Sequence, residues 1–190
     1  MEVEVLVRLA ASDPWSFTVL DTLRRRFGLE EVSGVERIKS WLLTFAGRSR
    51  EQAMKTVEEL MHTTALLANP NRDLWFVRAG PDTSVPPAIW ARPEGISDVW
   101  VIRVADRDDI VGRSMAGILQ GRLGIRAIKE VRYSTVWVLE MIRAGRDPSS
   151  LARQIAVARS WRNGLLANPH CQTAAVCRAE EYLQGTGGYK

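Results

Sequence analysis

The sequence has little of what most enzymes and membrane proteins need. Its 190 residues include only two cysteines and two histidines. No apolar run approaches the roughly 18 residues of a membrane helix. The first residues, MEVEV, lack the basic end and apolar core of a signal peptide. We therefore expect a cytoplasmic protein with no membrane association, whose cysteines are reduced thiols.

Catalytic and nucleotide-binding motifs are missing too. There is no GxSxG elbow and no GxxxxGK[ST] phosphate loop. His170, Cys171 and Cys177 supply only three zinc ligands, at an unusual spacing. The three carboxylates of Asp106–Asp109 precede a predicted helix and leave a magnesium site open as an alternative. We expect no catalytic, cofactor-binding or metal-binding residue in this chain.

The charge is unevenly distributed along the chain. Residues 1–80 contain 11 basic and 11 acidic side chains, so the net charge of +4 arises from residues 81–190. A basic half could bind nucleic acid, a phosphorylated metabolite or an acidic protein face. The simplest interpretation is a solvated surface rich in arginine.

What the sequence does contain is an internal repeat. LLANP occurs at residues 66–70 and again at 165–169, and AGR precedes both copies, at 46–48 and 144–146. A repeat of this kind indicates a duplicated unit. Within one unit, Leu-Leu-Ala would complete the buried stripe of a helix. Asn would then tolerate the left-handed conformation that ends a helix, and Pro would stop it.

Hydrophobic periodicity predicts the same element order in both halves. In the first half we predict a strand at 3–10, followed by a helix that begins at Asp13-Pro14 and ends at Gly28. Two short strands or one long bent strand follow at 35–47. A second helix then begins at the Ser49/Gln52 capping box and ends at Asn69-Pro70, and the last strand is at 74–80. In the second half we predict a strand at 99–105, a helix ended by Gly124, a strand pair at 129–142, a helix begun by Asp147-Pro148 and ended by Asn168-Pro169, and a strand at 173–179.

This order predicts an α+β fold of two tandem ferredoxin-like βα(ββ)αβ units. The units are 1–80 and 97–183, joined by a proline-rich linker at 81–96 and followed by a flexible tail at 184–190. Both alternating sets are apolar in the strand segments 41–43 and 136–139, so both sheet faces should be covered. We expect a pseudo-dimer in which the antiparallel sheets pack together or join, the other half being the obvious cover.

The repeated motifs resemble the PurS family, the small subunit of phosphoribosylformylglycinamidine synthase. LLANP at the end of the second helix and Asp13-Pro14 after the first strand are similar to that family's motifs. Val35–Lys39 resembles its basic second-strand motif, as does Val131-Arg132 in the second half. The chain departs from the family pattern at Ile38, where the family has glycine, and after both LLANP copies. The candidate partner-facing or structural residues are Arg37, Lys39, Asn69, Pro70, Arg132, Asn168 and Pro169.

The resemblance implies a bridging subunit without chemistry of its own. Such a subunit sits between a synthetase subunit, which uses ATP and magnesium, and a glutaminase subunit that supplies ammonia. A tandem chain would resemble the family's dimer fused into one polypeptide, and a higher oligomer stays possible. Fold-level analogy is a weak basis for function, so two alternatives stay open. One is a stand-alone regulatory module that binds a small anionic effector between the halves. The other, less favoured, is a binder of single-stranded nucleic acid through sheet aromatics.

Overall fold

The structure, a computed structural model, describes residues 1–80, 98–142, 145–160 and 164–185. The linker predicted at 81–96 and residues 186–190 of the predicted tail lie outside the described residues. The strands are β1 (Glu2–Leu9), β2 (Val32–Phe45), β3 (Asp73–Arg78), β4 (Asp98–Asp106), β5 (Ile128–Met141) and β6 (Gln172–Arg178). The helices are α1 (Pro14–Asp21), α2 (Arg50–Thr63), α3 (Ile110–Gly117), α4 (Pro148–Ala156) and α5 (Ala179–Leu183). Helices α1 and α3 each continue into one π-helical turn, at Thr22–Arg26 and Ile118–Arg122.

The six strands form a single antiparallel sheet in the order β3-β1-β2-β5-β4-β6. The α+β class with antiparallel strands is therefore confirmed. The halves meet where β2 pairs with β5, so of the two arrangements predicted, the sheets join edge to edge. The order reads the same from either edge when β1 is equated with β4, β2 with β5 and β3 with β6.

Each half contributes three strands, because 35–47 and 129–142 do not fold back as strand pairs. Each belongs instead to one continuous strand of 14 residues, β2 or β5. The physical reason is local. Between Val35 and Phe45, and between Ile128 and Met141, the sequence has no Gly, Pro, Asn or Asp to form a tight turn. A long strand reaches past its own half, and this lets β2 and β5 pair along their full length.

The four longer helices cover one face of the sheet, and each half lends a helix to the other's core. Val19 of α1 and Leu23 of the π-helical turn after it belong to the apolar cluster around Trp100 of β4, together with α4. Leu119, in the turn after α3, belongs to the cluster around Val5 of β1, together with α2. Separating the halves would therefore open both clusters, not only the strand pairing.

The opposite face is also buried, and over the strands of the first half its cover comes from the second half, as a short helix and not as a packed sheet. Leu6, Ile38 and Val136 lie in a third cluster with Tyr182 of α5. A short helix after the last strand thus packs against this face. Among the described residues, no helix is long and apolar enough to cross a membrane.

The predicted helix starts are confirmed, whereas the ends of α2 and α4 are not. Asp13, Ser49 and Asp147 cap α1, α2 and α4 with their side chains. Helix α2, however, ends at Thr63 and α4 at Ala156, well before each LLANP. The residues that follow them, Thr64 and Val157, are β-branched and adopt extended backbone angles.

Candidate functional site

The two LLANP copies form the same turn before the last strand of each half. The side-chain oxygen of Asn69 accepts a hydrogen bond from the backbone of Asn71 at 3.0 Å, and its backbone carbonyl accepts one from Asp73 at 2.8 Å. Asn168 makes the equivalent bonds to His170 and Gln172 at the same distances. Asparagine does this without the predicted left-handed backbone, since no described non-glycine residue has a positive φ. The motif is an Asx turn that starts β3 or β6.

A basic cleft of about 200 Å³ lies beside the first of these turns. We call it the basic cleft throughout. The side chains of Arg37, Lys39 and Arg72 supply three positive charges to it, and Asp13 and Asp73 supply two carboxylates. The β1 residues Val7, Arg8 and Leu9 also border it, but the Arg8 side chain projects to the opposite sheet face and pairs with Glu36. The end of β1, the N-cap of α1, the middle of β2 and the turn before β3 bring these residues together. Arg37 and Lys39, both predicted as site residues, share one sheet face because residues two apart in a strand point the same way.

Several groups hold the walls of the basic cleft in place. Asp13 caps α1 and also accepts a hydrogen bond from Arg37 at 3.1 Å. The Arg37 guanidinium lies 5.6 Å from the centre of the Trp15 ring, within cation–π range. Asp73 accepts hydrogen bonds from the backbone of Asn69 at 2.9 Å and from Arg72 at 3.3 Å. The LLANP turn therefore positions one wall of the cleft.

A second pocket of about 400 Å³ adjoins the basic cleft and shares Arg8, Asp13 and Arg37 with it. Its other lining residues include Phe17, Leu20, Val35 and Glu36. Glu36 accepts a hydrogen bond from Arg8 at 2.7 Å. The adjoining pocket thus has an apolar side, formed by α1 and the start of β2, and a polar side at Arg8.

The second half has no counterpart of this charge. Trp41 pairs with Tyr133, and Arg37 pairs with Trp137, so the reciprocal pairing equates Arg37 with Tyr133 and Lys39 with Thr135. The LLANP alignment equates Arg72 with Cys171 and Asp73 with Gln172. These four positions in the second half are therefore neutral, and of the charged cleft residues only Asp13 has a charged counterpart, Asp109.

Arg132 does not belong to such a site. It lies one residue from Tyr133, so it projects from the sheet face opposite to that of Arg37 and Lys39. Its guanidinium binds Glu130 at 2.8 Å, and both side chains are about half exposed. The resemblance between Val131-Arg132 and the basic motif of the first half therefore does not extend to side-chain position.

The other sequence candidates serve separate purposes. Asp109 caps α3 and accepts the backbone N–H of Tyr133 at 2.7 Å. Asp108 forms an ion pair with Arg113, and the hydrogen bond and positive charge of Arg113 lower the pKa of the Asp108 carboxyl. Asp106 accepts a hydrogen bond from Gln172. Within the described residues, no group of three or more His, Cys, Asp or Glu side chains is arranged to hold a metal ion.

The cysteines and strand tryptophans are placed as structural residues would be. Cys177 is buried, and this burial raises its pKa to about 11, with a further contribution from Glu181. Cys171 is exposed, and both thiols are free. Trp41 and Trp137 are buried beneath the helices and are thus not available to stack on bases. Among the aromatic residues of the strands, Trp75 and Phe76 of β3 are partly exposed, but they lie on opposite faces of an edge strand and so form no shared stacking surface.

Sequence reasoning missed a charged network buried in the opposite face of the sheet. Glu4 is almost fully buried and accepts hydrogen bonds from Arg78 at 2.7 Å and Arg103 at 2.5 Å. Ser40 and Tyr182 donate to the same carboxylate at 2.5 and 2.7 Å. Burial alone would raise the pKa of Glu4, but the two guanidinium groups and the two hydroxyls hold it below its ordinary value. The network connects both halves and α5.

Comparison with known protein families gives one result. Residues 1–76 match the model of the PurS family, described as phosphoribosylformylglycinamidine (FGAM) synthase. A comparison with curated protein sequences finds no match. The matched segment runs from β1 into β3, and every residue that lines the basic cleft lies within it.

Proposed function

We propose that the chain is a non-catalytic subunit of FGAM synthase in purine biosynthesis, because residues 1–76 match the PurS family model. In this proposal it is a cytoplasmic subunit that holds an ATP-dependent synthetase subunit and a glutaminase subunit in register. The family match carries the proposal. ATP and magnesium would belong to the synthetase partner.

We further propose that the second half is a diverged copy of the same unit, so that the chain is a fused pair. The strand order is symmetric about the β2–β5 pair. In that pair Lys39 lies opposite Thr135, its own counterpart in the repeat. A twofold axis between two copies requires such self-pairing at its centre. Two LLANP turns with the same hydrogen bonds support the same relation.

The partner-facing surface would include the exposed starts of α1 and α3. Trp15 and Phe17 are 62% and 71% exposed, and Ile110 and Val111 are 62% and 44% exposed. Single exposed apolar residues are ordinary, but these occur in pairs in the first turns of two equivalent helices on one sheet face. Exposed apolar patches mark interaction sites, and tryptophan is enriched among the residues that contribute most to binding at protein interfaces. We propose that they contact the partner subunits.

Reconstitution of the complex tests the assembly role. The synthetase and glutaminase subunits would be assayed for FGAM formation with and without this chain, first with glutamine and then with free ammonium as nitrogen donor. We expect the glutamine-driven rate to need the chain, because ammonia must pass between two active sites. The ammonium-driven rate should change much less. An equal glutamine-driven rate without the chain would reject the assembly role and favour the regulatory module.

A pair of surface variants makes this test specific. Trp15→Ser with Ile110→Ser should weaken co-sedimentation with the partners and lower the glutamine-driven rate. Leu74→Ser is the matched control, since Leu74 is 44% exposed but lies on edge strand β3. If the control lowers the rate as much as the double variant does, the contact surface is not the one proposed.

A further inference from the structure

We propose that the basic cleft binds the phosphate group of a small phosphorylated metabolite, whose organic part occupies the adjoining pocket. This site lies within the first half, not between the halves, and does not depend on the assembly role. It rests on the cavities, on their charge and on a comparison between the two halves of the chain.

The charge of the cleft suits a phosphate monoester. Three cationic side chains against two carboxylates leave an excess of one positive charge, because Arg37 pairs with Asp13 and Arg72 with Asp73. A phosphate monoester carries about −1.5 to −2 at pH 7. Lys39, half-buried in the cleft, has no ion pair or hydrogen bond in the part of the chain that the structure describes. Arg37 has a planar guanidinium, which can bind two phosphate oxygens at once.

The fold does not need these charges. In the second half, Tyr133 and Thr135 stand in place of Arg37 and Lys39, and β5 still pairs along its whole length with β2. Asp109, the counterpart of Asp13 in the second half, accepts a hydrogen bond from the backbone N–H of Tyr133, whereas Asp13 accepts one from the Arg37 guanidinium. Gln172, in place of Asp73, makes the same bond to the LLANP turn at 2.9 Å. Because neutral residues support the same architecture in the second half, the charges of the first half are not needed for folding. We infer that they serve binding.

The two cavities have the size of a metabolite site. Volumes of about 200 and 400 Å³ together fall in the range of small-molecule pockets, roughly 300–1,000 Å³. Phe17, Leu20 and Val35 line the larger pocket, and Ser16 and Glu36 add polar groups there. An anionic head in the smaller cavity and a partly apolar, partly hydroxylated body in the larger one fit this lining.

Binding to the isolated full-length chain tests the proposal. Isothermal titration calorimetry and thermal shift would use ribose 5-phosphate and inorganic phosphate, with ribose as the uncharged control. We expect ribose 5-phosphate to bind, inorganic phosphate to bind more weakly because it fills only the basic cleft, and ribose not to bind. Affinity should fall as the pH drops below about 6, where the second phosphate proton returns. Absence of binding by both phosphates at millimolar concentration would overturn the proposal.

The second half supplies the variants. Arg37→Tyr with Lys39→Thr copies its residues into the equivalent positions of β2, so the substitutions suit the strand. This double variant should weaken ribose 5-phosphate binding at least about tenfold, as loss of one charge-assisted hydrogen bond predicts. The matched control, Tyr133→Phe with Thr135→Val, should keep the original affinity. Unchanged binding by the first variant, or equal loss by both, would show that the phosphate does not bind in the basic cleft.

These measurements use the chain without partners, so they are separate from the reconstitution assay. Phosphate binding with no effect of the chain on glutamine-driven synthesis would reject the assembly role alone. If the chain is needed for glutamine-driven synthesis but binds no phosphate, the phosphate site is rejected and the assembly role is kept.

Discussion

At the scale of single residues, the most consequential side chain is Glu4, because one buried carboxylate connects three parts of the molecule. Arg78 comes from β3 of the same half, Arg103 from β4 of the other half, and Tyr182 from α5. Burying a charge is costly unless it is paired and fully hydrogen-bonded. Glu4 meets that condition, with four partner groups around its two oxygens.

Glu4→Gln should therefore lower the free energy of unfolding by about 3–5 kcal/mol, since it removes one member of a buried ion pair and so the negative charge that Arg78 and Arg103 share. Urea denaturation at pH 7 measures this. The control is Glu59→Gln, at an exposed position of α2. The ion pair that Glu59 forms with Lys55, at 4.0 Å, contributes at most about 0.5 kcal/mol to stability.

We also expect the loss of stability caused by Glu4→Gln to depend on pH. The pKa of Glu4 is lowered in the folded state from its ordinary 4.5, so its stabilisation is present above pH 4.5 and is lost as the pH falls through the folded-state pKa. The stability difference between the original protein and Glu4→Gln should shrink below pH 4.5. A difference that stays constant down to pH 3 would contradict the charged network.

At the scale of elements, α3 shows how one close contact fixes a helix. A side-chain carbon on Gly112 would overlap the Val131 carbonyl oxygen of β5 and the Asp109 carboxylate. Near Gly117, five residues along, such a carbon would meet no atom within 4 Å. The glycines of this helix thus differ in purpose: the first allows the helix to approach the sheet, and the second only lowers helix propensity.

Gly112→Ala and Gly117→Ala should accordingly change stability in opposite directions. The first should destabilise by about 1–3 kcal/mol, the usual cost of overpacking. The second should stabilise by up to about 1 kcal/mol, because Gly117 has helical angles and an alanine there lacks the cost of glycine. Chemical denaturation of both variants measures these changes in the free energy of unfolding. If both variants change it equally, α3 does not approach β5 as closely as the structure shows.

At the scale of the whole molecule, the two halves are interdependent. They share a continuous sheet, and α1 and the turn after α3 each complete the core of the other half. A single half would leave the 14 residues of β2 without the β5 partner and would expose the clusters that the exchanged helices cover. Long unpaired apolar edges promote association.

A fragment of residues 1–80 should therefore self-associate, most simply by pairing β2 with β2 of a second copy, or be insoluble. Sedimentation velocity over a concentration series measures this. The full chain under the same conditions is the control, because its β2 edge is already paired. A soluble, stable monomer of the fragment would show that the joined sheet is not needed to cover the apolar residues.

The sequence alone determined the features that depend on neighbours along the chain. Asp13 and Ser49 cap their helices as predicted, Gly28 ends the first one, and the element order of the two halves is the same. Each is decided by backbone geometry and hydrogen bonds within a few residues, so the local pattern was sufficient. The continuous β2 was one of two predicted possibilities, and the absence of turn residues could have selected it.

Only the tertiary structure decided which edges join, where α1 packs and which charges meet. Residues 1–80 are neutral overall in sequence, yet folding gathers Arg37, Lys39 and Arg72 into one cleft and hides Glu4 on the other face. Net charge along a chain cannot show this, because alternate strand residues point to opposite faces and distant strands become neighbours. The basic cleft and the buried network are properties of that juxtaposition, and so no local pattern contains them.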